Sequence, residues 1–209
     1  MKEVAAILLA AGRSKRMGAF KPLLPFGSST VIASCVENLR SGGVDQLLVV
    51  LGHRAAEVAQ HLEQADVSFT VNPNPDSEMG ASIACGVSGL APEARAVIIA
   101  LSDQPAVPAS VAGTLIARWR AGAKLVKPEY KGRGGHPVLI DLEFRQELLT
   151  LGASGGLRAL FEAHAREVVR VPVDSPYVAR DLDTWDDYLT LHVEFFGFAP
   201  RKPPENRPN

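Results

Sequence analysis

The chain has 209 residues, a length that suits one well-buried α/β domain or two small ones. Its net charge of −1 excludes the broad basic surface of a nucleic-acid-binding protein. No apolar run reaches the about 18 residues that span a membrane, and no signal peptide precedes the first strand, so we expect a cytoplasmic protein. The two cysteines, Cys35 and Cys85, cannot build a disulfide framework and are expected to be buried, reduced thiols.

The first apolar run begins at Ala5, has the length of a strand, and ends in a loop bounded by Gly12 and Gly18. The cations in and just after this loop are Arg13, Lys15, Arg16 and Lys21. A buried strand that ends in a glycine-bounded basic loop is how an open α/β sheet presents a phosphate site. The spacing fits neither the Walker A loop nor the dinucleotide-binding fingerprint, so both of those nucleotide sites are excluded.

Strands and helices alternate along the rest of the chain. Apolar runs predict further strands at residues 45–51, 67–71, 96–101, 124–128, 136–140 and 168–173. Helices are predicted at residues 31–40, 55–64, 108–119, 142–149 and 156–163, with one beginning near 79 and a last one opening within 181–188. We expect a short connector at 22–26 and turns at 27–30 and 129–135. This alternation predicts an α/β fold with a mostly parallel sheet between two layers of helices.

The same succession of strands and helices predicts the domain organisation. We expect a single domain over residues 1–192, with a nucleotide-binding half at about 1–105 and an acceptor half at about 106–192. Residues 193–209 include a segment rich in proline and charge, with too little apolar content to pack, and are predicted to be a flexible tail.

Asp103 is the first candidate for metal binding. It follows a strand that carries no polar residue, so its carboxylate is expected at the carboxyl edge of the sheet, near the basic loop. Mg²⁺ prefers hard oxygen ligands and commonly takes one or two carboxylates plus substrate phosphates. From the residues alone, a turn or helix-capping aspartate before Pro105 is an equally good interpretation.

A resemblance to a known family strengthens the metal interpretation. Residues 9–24 read L-A-A-G-x-S-x-R-M-G-x-x-K-x-L-L and resemble the signature loop of nucleotidyltransferases related to molybdenum cofactor cytidylyltransferase. The segments S-D-Q-P at 102–105, D-L-D-T-W-D-D at 181–187 and G-G-H-P-V at 134–138 resemble further motifs of that family. The resemblance implies a Rossmann-like three-layer α/β/α fold of the nucleotidyltransferase type, with a mostly parallel mixed sheet.

The resemblance also implies a reaction. CMP would pass from CTP to a molybdopterin-type acceptor, giving molybdopterin cytosine dinucleotide and pyrophosphate, for delivery to a molybdenum hydroxylase. Mg²⁺ would be held by Asp103 and Asp183. Arg13 and Arg16 would bind the β- and γ-phosphates, and Lys21 would stabilise charge on the α-phosphate, so Lys21, Arg16 and Asp103 are the expected catalytic residues. Asp183 or Thr184 is also a candidate cap for the last helix.

Base recognition is implied for Gly80, Ser82 and the backbone at Ala10 to Gly12, with Ala11 favouring CTP over GTP. Packing within the helix is an equally good interpretation of Gly80 and Ser82. Gly135 and His136 would face the acceptor, although a lone histidine is more often structural. We expect no zinc site, because the other histidines lack paired ligand spacing.

The chain departs from the family pattern in places. Residues 152–156 read G-A-S-G-G where many cytidylyltransferases carry an aspartate, and Trp185 and Asp186 replace the usual proline and glutamate. These departures leave other readings open: a sugar or polyol phosphate as acceptor, GTP as donor, or a maturation chaperone that binds the molybdenum cofactor without turnover.

Overall fold

A computed structural model describes residues 3–13, 17–74, 77–153 and 155–200. The described residues form ten strands: β1 (Val4–Ala10), β2 (Pro25–Phe26), β3 (Ser29–Thr30), β4 (Gln46–Leu51), β5 (Ser68–Val71), β6 (Ala96–Leu101), β7 (Leu125–Tyr130), β8 (Arg133–Gly134), β9 (Val138–Asp141) and β10 (Val168–Pro172). They also form seven α-helices: α1 (Val31–Ser41), α2 (Ala55–His61), α3 (Met79–Ser88), α4 (Ala109–Arg120), α5 (Arg145–Leu149), α6 (Gly156–Ala163) and α7 (Trp185–Phe196). No helix among these residues is both long and apolar enough to cross a membrane.

The main sheet confirms the predicted fold class. Its strands lie in the order β10-β7-β9-β6-β1-β4-β5, with β8 pairing to β7. β1, β4, β5 and β6 are parallel to one another, β7 and β10 run parallel as a pair, and β9 is antiparallel to both β6 and β7. The carboxyl ends of β1 and β6, the two central strands, therefore meet at one edge of the sheet.

Helices cover both faces of this sheet. One core cluster joins β1, β4 and β6 to α1, α2 and α4, and a second joins the opposite faces of the same strands to α3, α5 and α6. β1 illustrates the arrangement, because Ala6 and Leu8 face the first cluster while Ala5 and Ile7 face the second. Burial on both faces explains why these strands are continuous apolar runs instead of alternating ones.

Several local expectations differ from the structure. The connector expected at 22–26 ends in β2, which pairs with β3 in a hairpin that turns through Gly27 at a φ of 64°. The segment expected to be a turn at 129–135 continues β7 to Tyr130 and pairs it with β8. The helix expected over 55–64 ends at His61, because Leu62 turns into the core and is buried. Cys35 is buried as predicted, whereas Cys85 is only partly buried.

The domain boundary expected at residue 192 is too early. α7 continues to Phe196, whose ring packs edge-on against Phe26 with centroids 4.8 Å apart. Beyond the helix, the carbonyl oxygen of Phe198 accepts a hydrogen bond from His192 Nδ1 at 2.8 Å. Aromatic residues near the end of α7 therefore pack onto the domain, which the composition of the segment did not reveal. The rest of the expected tail, residues 201–209, lies outside the described residues.

Candidate active site

A cavity of about 390 Å³ lies where β1 and β6 end. The two strands pair in parallel with Leu9 opposite Leu101, so the loops that follow them leave the sheet side by side. Among the described residues that line the cavity, the charged ones are Lys21, Asp103, Asp181 and Asp183. Three carboxylates and one ammonium group thus face one space at the edge where an open α/β sheet binds its ligands.

Lys21 lies between two of these carboxylates. Its Nζ is 3.3 Å from Asp103 Oδ2 and 3.2 Å from Asp183 Oδ1. The Lys21 side chain is 12% exposed, compared with 27% for Asp103 and 40% for Asp183, so the pairs sit at the inner part of the cavity. The structure therefore brings together three residues that are separated by as many as 162 positions in the chain.

The Asp103 carboxyl group is partly removed from water. Burial raises the pKa of its carboxyl group, Lys21 opposes that shift, and the nearby charge of Asp181 adds to it. The backbone N–H of Leu182 donates to the carbonyl oxygen of Asp103 at 3.3 Å, and Gln104 Nε2 donates to Asp181 Oδ1 at 2.7 Å. These contacts fix the segment that carries Asp181 and Asp183 against the end of β6.

The same arrangement fits a divalent cation by its chemistry. Carboxylate oxygens are the ligands that Mg²⁺ and Mn²⁺ prefer, and two such groups already converge on the Lys21 ammonium. Among the described residues, no group of three or more His, Cys, Asp or Glu side chains is arranged to hold a metal. A metal here would therefore need ligands from the substrate in addition to Asp103 and Asp183.

Ala11, Gly12 and Ser82, which carry no charge, also line the cavity. Ser82 is buried, and its Oγ accepts a hydrogen bond from Asn72 Nδ2 at 2.9 Å. The Ala11 backbone packs closely against Gly52, where a β-carbon would lie only 2.6 Å from the Ala11 carbonyl oxygen, so this approach requires glycine at position 52. The contribution of Asn72 and Gly52 was not apparent from the sequence, since it depends on the packing of distant segments.

Among the described residues assigned to the nucleotide, Ala10, Arg13 and Gly80 are not part of the cavity lining. Gly80 is buried against the Leu151 backbone, and a β-carbon there would approach the Leu151 carbonyl carbon to 2.8 Å, so packing explains this glycine. The Ala10 side chain belongs to the core cluster on the other face of β1. Arg13 is exposed. Arg16 lies outside the described residues.

Gly135 and His136 line a second cavity, of about 540 Å³. The His136 backbone N–H donates to the Val178 carbonyl oxygen at 2.8 Å, and its Nδ1 is 3.4 Å from the Ile99 carbonyl oxygen. Burial lowers the pKa of His136, which favours a neutral ring that donates from Nδ1 and leaves Nε2 as an acceptor. The two expected acceptor-binding residues therefore share a cavity, separate from the one that holds Lys21.

Comparison with known proteins identifies the family. Residues 6–168 match the family model described as a MobA-like NTP transferase domain. The chain belongs to this family. MobA-like NTP transferases are nucleotidyltransferases, and the fold described above is the one that they share.

The relatives of this MobA-like chain carry different names. It is 28% identical to a nicotine blue oxidoreductase of Paenarthrobacter nicotinovorans, over 90% of this chain and 96% of that protein. It is 24% identical to the molybdenum cofactor cytidylyltransferase of Escherichia coli, over 93% of this chain and 98% of that protein. Membership of the family therefore does not specify which reaction this chain catalyses, and the residues of the site are needed to argue it.

A solved structure agrees closely with the whole domain. The protein Rv0371c of Mycobacterium tuberculosis superposes with a TM-score of 0.83 at 29% identity, covering 92% of this chain and 98% of that one. A second structure of Rv0371c, a complex with manganese, superposes with a TM-score of 0.75 at 28% identity, covering 90% of this chain and 97% of that one.

Proposed function

We propose that this chain transfers CMP from CTP to a molybdopterin-type acceptor and releases pyrophosphate. The observation that carries the proposal is the position of Lys21 between Asp103 and Asp183, beside the Ala11–Gly12 backbone, in one cavity at the end of β1 and β6. The similarity to a protein named molybdenum cofactor cytidylyltransferase supports this choice of base and acceptor. The product would then pass to a molybdenum hydroxylase.

The reaction exchanges one phosphoanhydride bond for another. An oxygen of the acceptor phosphate attacks the α-phosphorus of CTP, and the bond from that phosphorus to the bridging oxygen of the β-phosphate breaks as pyrophosphate leaves. The protein needs to align the two phosphates and to offset their charge, without forming a covalent bond itself. Lys21 supplies a cation at the α-phosphate, and Arg13 and Arg16 are assigned to the β- and γ-phosphates.

Asp103 and Asp183 would hold Mg²⁺. When bound, the ion polarises phosphate oxygens and offsets their negative charge. In this assignment the carboxylates orient the ion, and Lys21, released from its contacts with them, turns its charge toward the phosphates. The manganese complex of Rv0371c supports a divalent cation in a related protein of the same fold.

Ser82 and the Ala11 backbone are assigned to the cytosine. In this assignment Ala11, which lines the cavity, narrows the space for the base, and glycine at position 52 allows the Ala11 backbone its close packing. Polar groups that pair with the edge of a base discriminate much better than an apolar slot does. We therefore expect CTP to be used in preference to GTP and ATP.

The test is pyrophosphate release from each nucleotide with Mg²⁺ and molybdenum-charged molybdopterin. We expect the highest kcat/KM with CTP, and a smaller CTP-to-GTP ratio in Ala11→Gly. Sugar and polyol phosphates serve as competing acceptors in the same assay. Equal use of GTP and CTP by the wild type would overturn the cytidylyl assignment, and binding of molybdopterin without release of pyrophosphate would indicate a chaperone instead.

A further inference from the structure

The second cavity contains a cation that its surroundings do not neutralise. Lys127 projects from β7 into this cavity and is partly buried. Within the part of the chain that the structure describes, Lys127 makes no salt bridge, whereas Arg158 pairs with Glu162 at 2.7 Å and Arg170 with Glu129 at 3.4 Å. An ammonium group that is partly removed from water and has no counter-ion costs free energy unless something else supplies negative charge.

The strand register places a second cation beside it. Arg170 on β10 is the direct partner of Lys127 in the parallel β7–β10 ladder, so both side chains leave the same face of the sheet. Burial and the charge of Arg170 together lower the pKa of Lys127. Like charges directly opposite one another on neighbouring strands are destabilising. Among the described residues, Glu129 pairs with Arg170 but no carboxylate pairs with Lys127, so the charge that is not neutralised is on Lys127.

Both cations lie next to Gly134. A β-carbon built on Gly134 would lie 3.8 Å from Lys127 Cε and 3.9 Å from Arg170 Nη1, so both side chains border the same point. On another side, the Phe161 ring lies under the ammonium group, with Lys127 Nζ 4.7 Å from the ring centroid. A ring in this position orients the ammonium and presents an apolar wall.

We propose that the second cavity binds an anionic group of the acceptor, distinct from the phosphate that reacts, between Lys127 and Arg170. The proposal rests on the proposed function, because the reacting phosphate must lie in the first cavity, near Lys21 and Asp103. An acceptor that fills both cavities must then carry negative charge at both ends, with an apolar or planar part able to lie against Phe161.

This requirement narrows the class of acceptor. A sugar or polyol monophosphate has its charge only on the group that reacts, and would leave Lys127 and Arg170 facing neutral hydroxyl groups. An acceptor with a phosphate at one end and an anionic group at the other satisfies both cavities. The His136 ring, which lines the same cavity with its Nε2 as acceptor, can bind a donor on such a molecule.

The first test needs neither nucleotide nor turnover. The chain has seven lysines, so the side-chain signals of isotopically labelled lysine can be resolved by NMR and assigned by substitution. We expect inorganic phosphate to shift the Lys127 signal along a saturable curve, and to bind about tenfold more weakly in Arg170→Met, which removes one charged hydrogen-bond partner. A Lys127 signal that does not respond to phosphate would overturn the proposal.

Lys131 is the matched control. It is also a lysine against an aromatic ring, with its Nζ 5.1 Å from the centroid of Tyr130, but it lies outside the cavity lining. We expect Lys127→Met to raise the KM for the acceptor about tenfold with little change in the KM for CTP, and Lys131→Met to change neither. If phosphate binds at Lys127 but no nucleotide is transferred, the proposed function fails and the anion site stands; equal KM values in wild type and Lys127→Met would remove the acceptor from this cavity.

Discussion

The two cavities of this domain border one sheet and carry opposite charge. The described lining of the first has three carboxylates and one ammonium group, and that of the second has Lys127, Arg158 and Arg170 with one carboxylate, Glu162. Excess carboxylate favours a cation, and excess basic charge favours an anion. The first cavity therefore suits a cation beside β1 and β6, and the second suits an anion beside β7 and β10, which is the division that the two proposals above require.

The largest effect is expected from removing a carboxylate of the first cavity. Asp103→Asn replaces a charged metal ligand with a neutral amide, and we expect kcat for nucleotide transfer to fall by about 10²–10³. The fold should survive. Because the folded protein raises the pKa of Asp103, its ionised form is disfavoured in the native state. Thermal unfolding at neutral pH should therefore show no loss of stability in the variant.

The raised pKa of Asp103 also determines how the stability of the protein changes with pH. A carboxyl group with a raised pKa contributes most to stability when it is protonated, and that contribution is lost as pH rises through the folded pKa. The stability of wild type relative to Asp103→Asn should thus decline from acid to neutral pH. Asp186→Asn, at an exposed position in the first turn of α7, is the control. Normal turnover by Asp103→Asn would contradict the assignment of the metal site.

A second substitution makes the net charge of the first cavity more negative. Lys21→Met removes the ammonium group that lies within 3.3 Å of both Asp103 and Asp183. We expect Mn²⁺ to bind this variant about tenfold more tightly than wild type in the absence of nucleotide, which corresponds to ~1.4 kcal/mol. Titration calorimetry measures this directly. Lys124→Met, which removes an exposed lysine paired with Glu143, should bind Mn²⁺ as the wild type does.

The expected outcome for catalysis by Lys21→Met is the opposite. Without a cation at the α-phosphate, kcat should fall even though the metal binds more tightly. If Mn²⁺ binds the variant no better than wild type, Lys21 does not compete with a cation for the two carboxylates, and the charge contrast between the cavities is smaller than the distances indicate.

The smallest effect is expected at the start of α7. Thr184 caps this helix in a reciprocal arrangement, accepting from the Asp187 N–H at 3.1 Å while its own N–H donates to Asp187 Oδ2 at 2.8 Å. Thr184→Ala should lower the free energy of unfolding by about 1 kcal/mol. Since Asp183 directly precedes the cap, we also expect weaker Mn²⁺ binding, measured by calorimetry, with phosphate binding at Lys127 unchanged. Weakening of both sites to the same extent would show a general loss of structure.

The sequence was most informative where local chemistry decides the structure. The central strands are uninterrupted apolar runs, and the loops after β1 and β6 carry the glycine and charged residues, so the gathering of Lys21, Asp103 and Asp183 at one edge could be expected from topology and motif. Thr184 was correctly named as a candidate cap. The role of each residue in the reaction remains a prediction.

Other features depend on contacts between distant segments. Lys127 and Arg170 lie side by side because of the register of β7 and β10, which no local sequence pattern encodes. Backbones that are far apart in the chain also approach each other closely, as Gly52 does with Ala11 and Gly80 with Leu151. The aromatic cluster at the end of α7 was missed because its segment was judged on overall composition, whereas the Phe26–Phe196 contact depends on where individual rings lie.

Gly135 lies where the turn beside the second cavity contacts the segment that carries Asp181 and Asp183. A side chain at this position would overlap the Val178 carbonyl group, and the next residue, His136, donates its N–H to the same oxygen. Val178 lies just before Asp181 and Asp183, so the turn that borders the second cavity is fastened to the segment that supplies carboxylates to the first. A shift of either segment would strain this contact unless the other segment shifted with it. Occupancy of one cavity should therefore change the affinity of the other, and thermodynamic reciprocity requires the same factor in both directions.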